Sequence, residues 1–359
     1  MDVCQNALPR FLRWAAGFWA MVEEKQSNLF YVTLTKLSVL ILFFSLCLAI
    51  TVPCESQEKG PRKTQGATRE LEGTIRVSGA WALYPMAVRW GEEFKKVHGK
   101  VKIDISAGGA GKGIADVLGG LVDIGMVSRE ISSVEMKRGA FYLPVVKDAV
   151  FPTLSEKNPL LKNGVDQIGM KKQAFIDLWI KDKGLTWGEA TGLASTQKVH
   201  VYTRSDSCGA AQTWAQYLGE KNQEDLQGIG VYGDPGLAEA VRKDPLGIGY
   251  NNLNYAYDYK TGLPIQGVRI ISIDINHNGK IDVQEDWRDK AKALKAVSSG
   301  VYPSPPAREL FLVSRVAFKG LARDFMRWIL TDGQRFVEEN GYVRLSQKRV
   351  EETLRRLGD

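Results

Sequence analysis

The spacing of apolar residues along the chain switches repeatedly between two periods. Residues 74–78, 100–106 and 123–127 alternate apolar and polar positions in the two-residue rhythm of a half-buried strand. Residues 86–97 and 113–121 repeat theirs at intervals of three and four, as a helix with one buried face does. The pattern resumes with a strand over 198–203, followed by Trp214, Tyr217 and Leu218 at helical spacing. Strands and helices taking turns in this way predict an α/β fold with a largely parallel sheet.

Two stretches break that alternation and divide the chain. Residues 143–151 form a longer β-type run stopped by Pro152, which reads as a crossing from one lobe into another. Pro303, Pro305 and Pro306 mark a second crossing, after which 309–314 returns as a strand and 321–339 as a closing helix. The expected architecture is a first lobe of 73–151 plus 306–359 and a second lobe of 152–305, with a hinge and a cleft between them.

Composition narrows the picture only slightly. The 359 residues are 44% hydrophobic and 25% charged, ordinary for globular domains, and their number suffices for two lobes. The net charge of +7 is spread along the chain rather than blocked, which argues against nucleic acid and is compatible with an anionic ligand. Residues 37–52 carry no charge for sixteen positions, an export signal or an uncleaved membrane anchor, with 55–72 as a polar tether behind them. Met21 offers an alternative start, and Cys54 a lipid attachment point that Pro53 disfavours. Of the four cysteines only Cys208 lies beyond the tether, so no disulfide framework or CxxC metal pair is expected there.

The candidate chemistry sits where predicted strands turn into helices. Gly79, Ala80 and Trp81 follow the first strand; Gly109, Ala110 and Gly111 follow the second; Ser128 and Arg129 follow the third. Arg204, Asp206, Cys208, Gly209 and Ala210 follow the strand of the second lobe and open a helix. In an open α/β sheet, ligands collect beyond the carboxyl ends of the strands. Glycine lets a ligand approach the backbone closely, and a helix start presents free amides and a positive dipole end. Several such turns converging would surround a small anion, with Arg204 adding a full charge. The stretch 108–113 is not a Walker loop, because Gly113 follows Lys112 where a serine or threonine is required.

With those turns in view, the chain resembles the periplasmic substrate-binding proteins of phosphate ABC transporters. The likeness covers roughly residues 73–343. The family's GSTTVxP turn corresponds to 79–85, its GGSGxG turn to 108–113, its DIGxxSR segment to 123–129 and its RSDGSGTT turn to 204–211. The closing pattern of a strand followed by F-x-W-I-L-x-x-G-Q corresponds to 311–314 and 325–334. The resemblance implies a two-lobe type II periplasmic-binding-protein-like fold, phosphate as ligand and an ABC-transporter permease as partner. It also implies a place in the periplasm, or on the outer face of the cytoplasmic membrane if the N-terminal segment stays uncleaved. The chain departs from the family where hydroxyl donors are expected: Ala80, Trp81, Ala82, Ala110, Cys208, Ala210 and Ala211 stand instead. Each lost charge-assisted hydrogen bond is worth about 1.5–3 kcal/mol, so the ligand follows less directly than the fold.

A separate motif occupies 274–285. Asp274, Asn276 and Asn278 stand at positions 1, 3 and 5 of a twelve-residue calcium loop, and Gly279 at the sharp turn. The Lys280 carbonyl stands at position 7, Asp282 at 9 and Glu285 at 12, where a carboxylate binds in bidentate fashion. A β-like segment over 268–273 precedes the loop and a helical one over 286–297 follows, so the expectation is one structural calcium rather than a paired switch.

The leading expectation is an exported solute-binding protein for phosphate, and not an enzyme. One alternative is a membrane-anchored sensor or adaptor, and another a binding protein for a different, larger anion with Trp81 as a flat wall. A third places a Cys208 thiolate at the helix start, with His98 or His200 as base.

Overall fold

The computed structural model describes residues 70–358; the apolar segment 37–52, Cys54 and nearly all of the tether lie outside them. The first three strands run parallel: β1 (Glu72–Gly79), β2 (Lys100–Ala107) and β3 (Ile124–Val127). β1 lies between the other two, with Gly79 opposite both Ala107 and Met126, so three strand ends finish level. The helix Tyr84–Val97 turns Met86, Trp90 and Phe94 inward, the spacing that predicted it.

The crossing is one strand. β4 spans Ala140–Ser155, longer than the run at 143–151 suggests, because its flanks go on pairing with neighbouring strands at both ends. Its first part pairs antiparallel with β11 (Ala307–Arg315), from Ala140 opposite Arg315 to Ala149 opposite Ala307. Its second part pairs antiparallel with β8 (Gly247–Asn252) and, over Thr153–Ser155, with β9 (Val268–Ile270). β6 (His200–Arg204) runs parallel to β8, and β7 (Ile229–Val231) parallel to β6. The strand order is β2-β1-β3-β11-β4-β8-β6-β7, with β9 branching from β4. A separate parallel ribbon joins β5 (Met170–Lys171) to β10 (Ile273–Asp274), the strand that leads into the 274–285 loop.

Side chains gather into two cores on either side of that crossing. Leu83, Trp90, Phe94, Met126, Leu143, Val313, Met326 and Ile329 belong to the first. Phe151, Phe175, Trp179, Trp187, Trp214, Tyr250 and Ile273 belong to the second. Trp214 stacks on Tyr250 at 5.8 Å and meets Trp179 edge-on at 5.5 Å, so the helix opened by the Gly209 turn is anchored by aromatic rings. Each fully buried ring contributes about 1.5–3 kcal/mol over its exposed state.

Three helices differ in extent from the periodicity. The helix predicted over 113–121 starts earlier and spans Ala110–Leu118, so the Gly-rich turn is itself its first turn. The closing helix ends at Leu330; Thr331 Oγ1 bonds back to the Arg327 carbonyl and a 3-10 turn carries the apolar period onward. The helix after the 274–285 loop starts only at Lys290, where Asp289 accepts from the Lys292 amide and caps it.

Glycines set the seat of the Ala110–Leu118 helix. A Cβ on Gly113 would fall 2.9 Å from Gly79 Cα and 3.0 Å from the Ser78 carbonyl oxygen, so this helix rests directly on the β1 and β3 backbones. Gly113→Ala is therefore expected to destabilise the protein by about 1–3 kcal/mol through overpacking. Urea unfolding monitored by circular dichroism tests this, and an unchanged midpoint would count against the direct backbone contact.

Candidate functional site

The ends of β1, β2, β3 and β6 bring the predicted turns together. Gly108 and Gly109 amides bond to the Gly79 carbonyl at 2.9 and 3.1 Å, and the Ala80 amide bonds to the Met126 carbonyl at 2.9 Å, which locks the first-lobe turns to one another. Gly109 has φ +89°, and a Cβ there would fall 2.6 Å from the Ser207 carbonyl oxygen of the other lobe. The Gly111 amide donates to that same carbonyl at 3.1 Å. A Cβ on Gly209 would overlap the carbonyl oxygen and hydroxyl of Ser128. The lobes thus touch backbone to backbone at the glycines, which is why side chains are small there: Ala80, Ala110 and Ala210 are all buried.

Trp81 closes one side of this junction. Its ring meets Tyr84 at 6.2 Å and Tyr232 of the second lobe at 6.5 Å, both edge-on, and Tyr255 Oη donates to its carbonyl at 3.4 Å. These contacts make Trp81 an inter-lobe clasp.

The helix Gly209–Gly219 starts beneath Ser128. Cys208 is its N-cap, with Sγ accepting from the Ala211 amide at 3.3 Å, while the Cys208 amide donates to Gln223 Oε1 at 2.8 Å. The Gly209 and Ala210 amides are first-turn donors for which a helix has no internal acceptor. They are the part of this turn best placed for an anion. Burial pushes the Cys208 thiol up to about 12, so it is protonated at neutral pH and poorly suited to nucleophilic work.

Arg204 does not stand free at the helix start. Its Nε and Nη2 hold Asp206 in a bidentate pair at 2.7 and 2.6 Å, and its Nη1 donates to Asp234 Oδ1. The side chain has no exposed surface. A buried guanidinium needs its charge compensated within the fold, and two carboxylates supply this where an open charge was expected. Asp206 also accepts from the Gly233 amide at 3.0 Å, so the pair ties the 204–210 turn to the helix Gly233–Lys243.

Arg129 is likewise committed elsewhere. It pairs with both oxygens of Glu135 at 2.7 and 3.0 Å, bracing the capping box at Ser132. Ser128, next to it, stays at the junction.

Residues that the sequence reading passed over complete the site. Asn252 donates to Asp234 Oδ2, and Arg308 donates to Asn252 Oδ1 and, from Nε, to the Ser128 carbonyl at 3.0 Å. Asp148 Oδ2 lies 3.5 Å from Arg308 Nη2, and burial pushes its carboxyl up to about 6 although Arg308 opposes the shift. One signal was available: Asp148 interrupts an apolar run that must be buried on both faces, and a carboxylate there requires a partner.

The 274–285 loop folds around its carboxylates. Asp274 accepts from the Asn278 and Gly279 amides at 3.1 and 2.8 Å, and Glu285 from the Ile275 and Asp282 amides at 2.9 and 3.3 Å. Asn276 and Asn278 both direct side-chain amides at Asp282 Oδ2. The Lys280 carbonyl lies beside Gly169, and His277 is exposed with φ +63°. Among the described residues no group of three or more His, Cys, Asp or Glu is gathered as a metal site, so a cation here would draw on asparagine and carbonyl oxygens too.

The sequence pattern of the PBP superfamily domain matches residues 62–333. The phosphate-binding protein PstS of Methanocaldococcus jannaschii is 24% identical to this chain, over 83% of it and 89% of the relative. The PstS of Bacillus subtilis is 23% identical, over 87% and 95%. Among solved structures, a substrate-binding protein from Clostridium perfringens with bound phosphate superposes with a TM-score of 0.62 at 19% identity, covering 76% of this chain and all of that one (100%). An ABC-type phosphate transport receptor from Vibrio cholerae gives 0.55 at 15%, covering 76% and 100%. At these identities the structural likeness carries the two-lobe α/β architecture.

Asp148 makes the stability of the junction depend on pH. Its folded pKa of about 6 lies above its ordinary value of 3.8, so the folded state holds the proton more tightly. The resulting stabilisation is complete below about pH 4 and is lost as pH rises through 6. The melting temperature of the native protein is expected to fall relative to that of Asp148→Asn as pH rises from 4 to 7. Parallel melting profiles, offset by a constant, would rule out the shift.

Proposed function

We propose that this chain, which belongs to the PBP superfamily, is an exported solute-binding protein that closes its two lobes over phosphate and delivers it to an ABC-transporter permease. The observation that carries this reading is the convergence of turns from both lobes on the start of the helix Gly209–Gly219. The relatives named phosphate-binding proteins support the choice of ligand. Gly79, Ala80, Gly109, Ala110, Gly111, Ser128, Cys208, Gly209 and Ala210 form the walls, the Gly209 and Ala210 amides replace the missing hydroxyls as donors, and Arg204 with Asp206 frames the turn. Export through the segment 37–52 belongs to the same reading; among the described residues no helix is long and apolar enough to cross a membrane. Binding rather than catalysis is favoured by the protonated, buried Cys208 thiol. The buried methyl groups of Ala80, Ala110 and Ala210, with Trp81 beside them, also suit a larger and less densely charged anion.

Calorimetric titration of the purified protein with phosphate, sulfate, molybdate and a small organic phosphate separates these readings. Phosphate is expected to bind in the micromolar range or tighter, equivalent to about 8 kcal/mol or more. Binding of another of these anions with none of phosphate selects the larger-anion reading, and silence from all four removes the anion site.

We also propose one structural calcium in the 274–285 loop, held by Asp274, Asn276, Asn278, the Lys280 carbonyl, Asp282 and Glu285. Bound metal stabilises only the folded state, so chelator is expected to lower the melting temperature. Glu285→Gln is expected to abolish that sensitivity, and a native melting curve indifferent to chelator would refute the site.

A further inference from the structure

Arg308 stands second in β11, where the strand ladder passes between the lobes. Its Nε holds the Ser128 carbonyl of the first lobe at 3.0 Å, and its Nη2 holds Asn252 of the second. The third guanidinium nitrogen, Nη1, is buried and has no hydrogen-bond acceptor among the described residues. Its side chain is 9% exposed, so water offers it little compensation. A charged donor left without an acceptor in such a place is costly unless something else arrives to accept from it.

Ser128 fixes where that donor lies. The carbonyl oxygen that binds Arg308 Nε is also the one that a Cβ on Gly209 would overlap. The guanidinium is therefore one residue away from the helix start, where the Gly209 and Ala210 amides lack internal acceptors. Arg204 offers an anion much less. It is shared by Asp206 and Asp234, so that group carries one negative charge in excess when both are ionised. Beside Arg308, Asp148 lies 3.5 Å from Nη2 and Asp234 is reached through Asn252, yet neither accepts a hydrogen bond from Nη1.

We infer that Arg308 supplies the charge-assisted donor to the anion in the cleft, with the Gly209 and Ala210 amides opposite it, while Arg204 holds the carboxylate frame beneath. This inference rests on the anion-binding reading proposed above. It assigns the binding charge to the strand that joins the lobes, so that occupancy of the cleft and the placement of Ser128 and Asn252 are coupled through one side chain.

The test is calorimetric titration of inorganic phosphate, sulfate and molybdate into the native protein, Arg308→Gln and Arg308→Lys, with melting temperatures recorded for each. Arg308→Gln is expected to weaken binding of the preferred anion by roughly thirtyfold or more, the range seen when one partner of a desolvated charge pair is removed, and Arg308→Lys by less. A folded Arg308→Gln that binds within threefold of the native protein overturns the inference and leaves the anion site intact. A native protein that binds none of the anions overturns both. Nitrogen NMR of the arginine side chains gives a second measurement on the unaltered chain, with Arg308 assigned by its loss in Arg308→Lys. Its Nη resonances are expected to move on addition of phosphate; movement at Arg204 with none at Arg308 would overturn the assignment even if Arg308→Gln failed to fold.

Discussion

The β4–β11 ladder holds this molecule together. From Ala140 opposite Arg315 to Ala149 opposite Ala307, two antiparallel strands exchange hydrogen bonds, and the first lobe builds on β11 through β3. From Val150 onward the same β4 turns to β8 and β9 and builds the second. A strand serving two sheets is buried on both faces, which explains its near-continuous apolar sequence. With only a bulge at Val145, opposite Leu310 and Phe311, interrupting that ladder, the strand ends of both lobes face one junction. The candidate site is a consequence of that pairing.

The contacts across the junction are of a different kind. The backbone hydrogen bond from Gly111 to Ser207, the Tyr255 hydrogen bond to the Trp81 carbonyl, glycine-to-backbone approaches and the Trp81 edge contacts join the lobes away from the ladder, together with Arg308, which holds Ser128 and Asn252. A hydrogen bond of that sort is worth about 0.5–1.5 kcal/mol net, since water replaces it when the lobes part. The ladder and the two aromatic cores are worth far more. An anion that supplied acceptors to the helix start would add its own differential affinity to these contacts.

Beneath the junction runs a chain of buried polar groups: Ser128, Arg308, Asn252, Asp234, Arg204 and Asp206. Buried charges of this kind contribute little net stability, but removing one partner costs about 3–5 kcal/mol because the other is left unpaired. Such a network enforces geometry. It fixes the direction of the 204–210 turn relative to Ser128, and so the distance between the lobes at the place where a ligand would sit.

Local pattern was enough to read β1, β2, β3, β6, the strand-to-helix turns, the passage at β4 and the return at β11, but not β5, β7 or β8. The elements that were legible depend on hydrophobic period and on glycine and proline positions, all properties of neighbours in the chain. Partnership of charges was not legible. Arg204 and Arg129 stand in the right turns, yet one is absorbed by Asp206 and Asp234 and the other by Glu135. Asp234 lies far from Arg204 in the chain and meets it from the helix Gly233–Lys243, while Asn252 bonds to Asp234 and Arg308 to Asn252. Helix ends at Leu330 and Lys290 were likewise settled by caps and tight packing rather than by period. What a stretch of sequence can become is set by local stereochemistry; which charge remains open to a ligand is set by which opposite charges the fold brings within about 3 Å of it, where desolvation makes pairing obligatory.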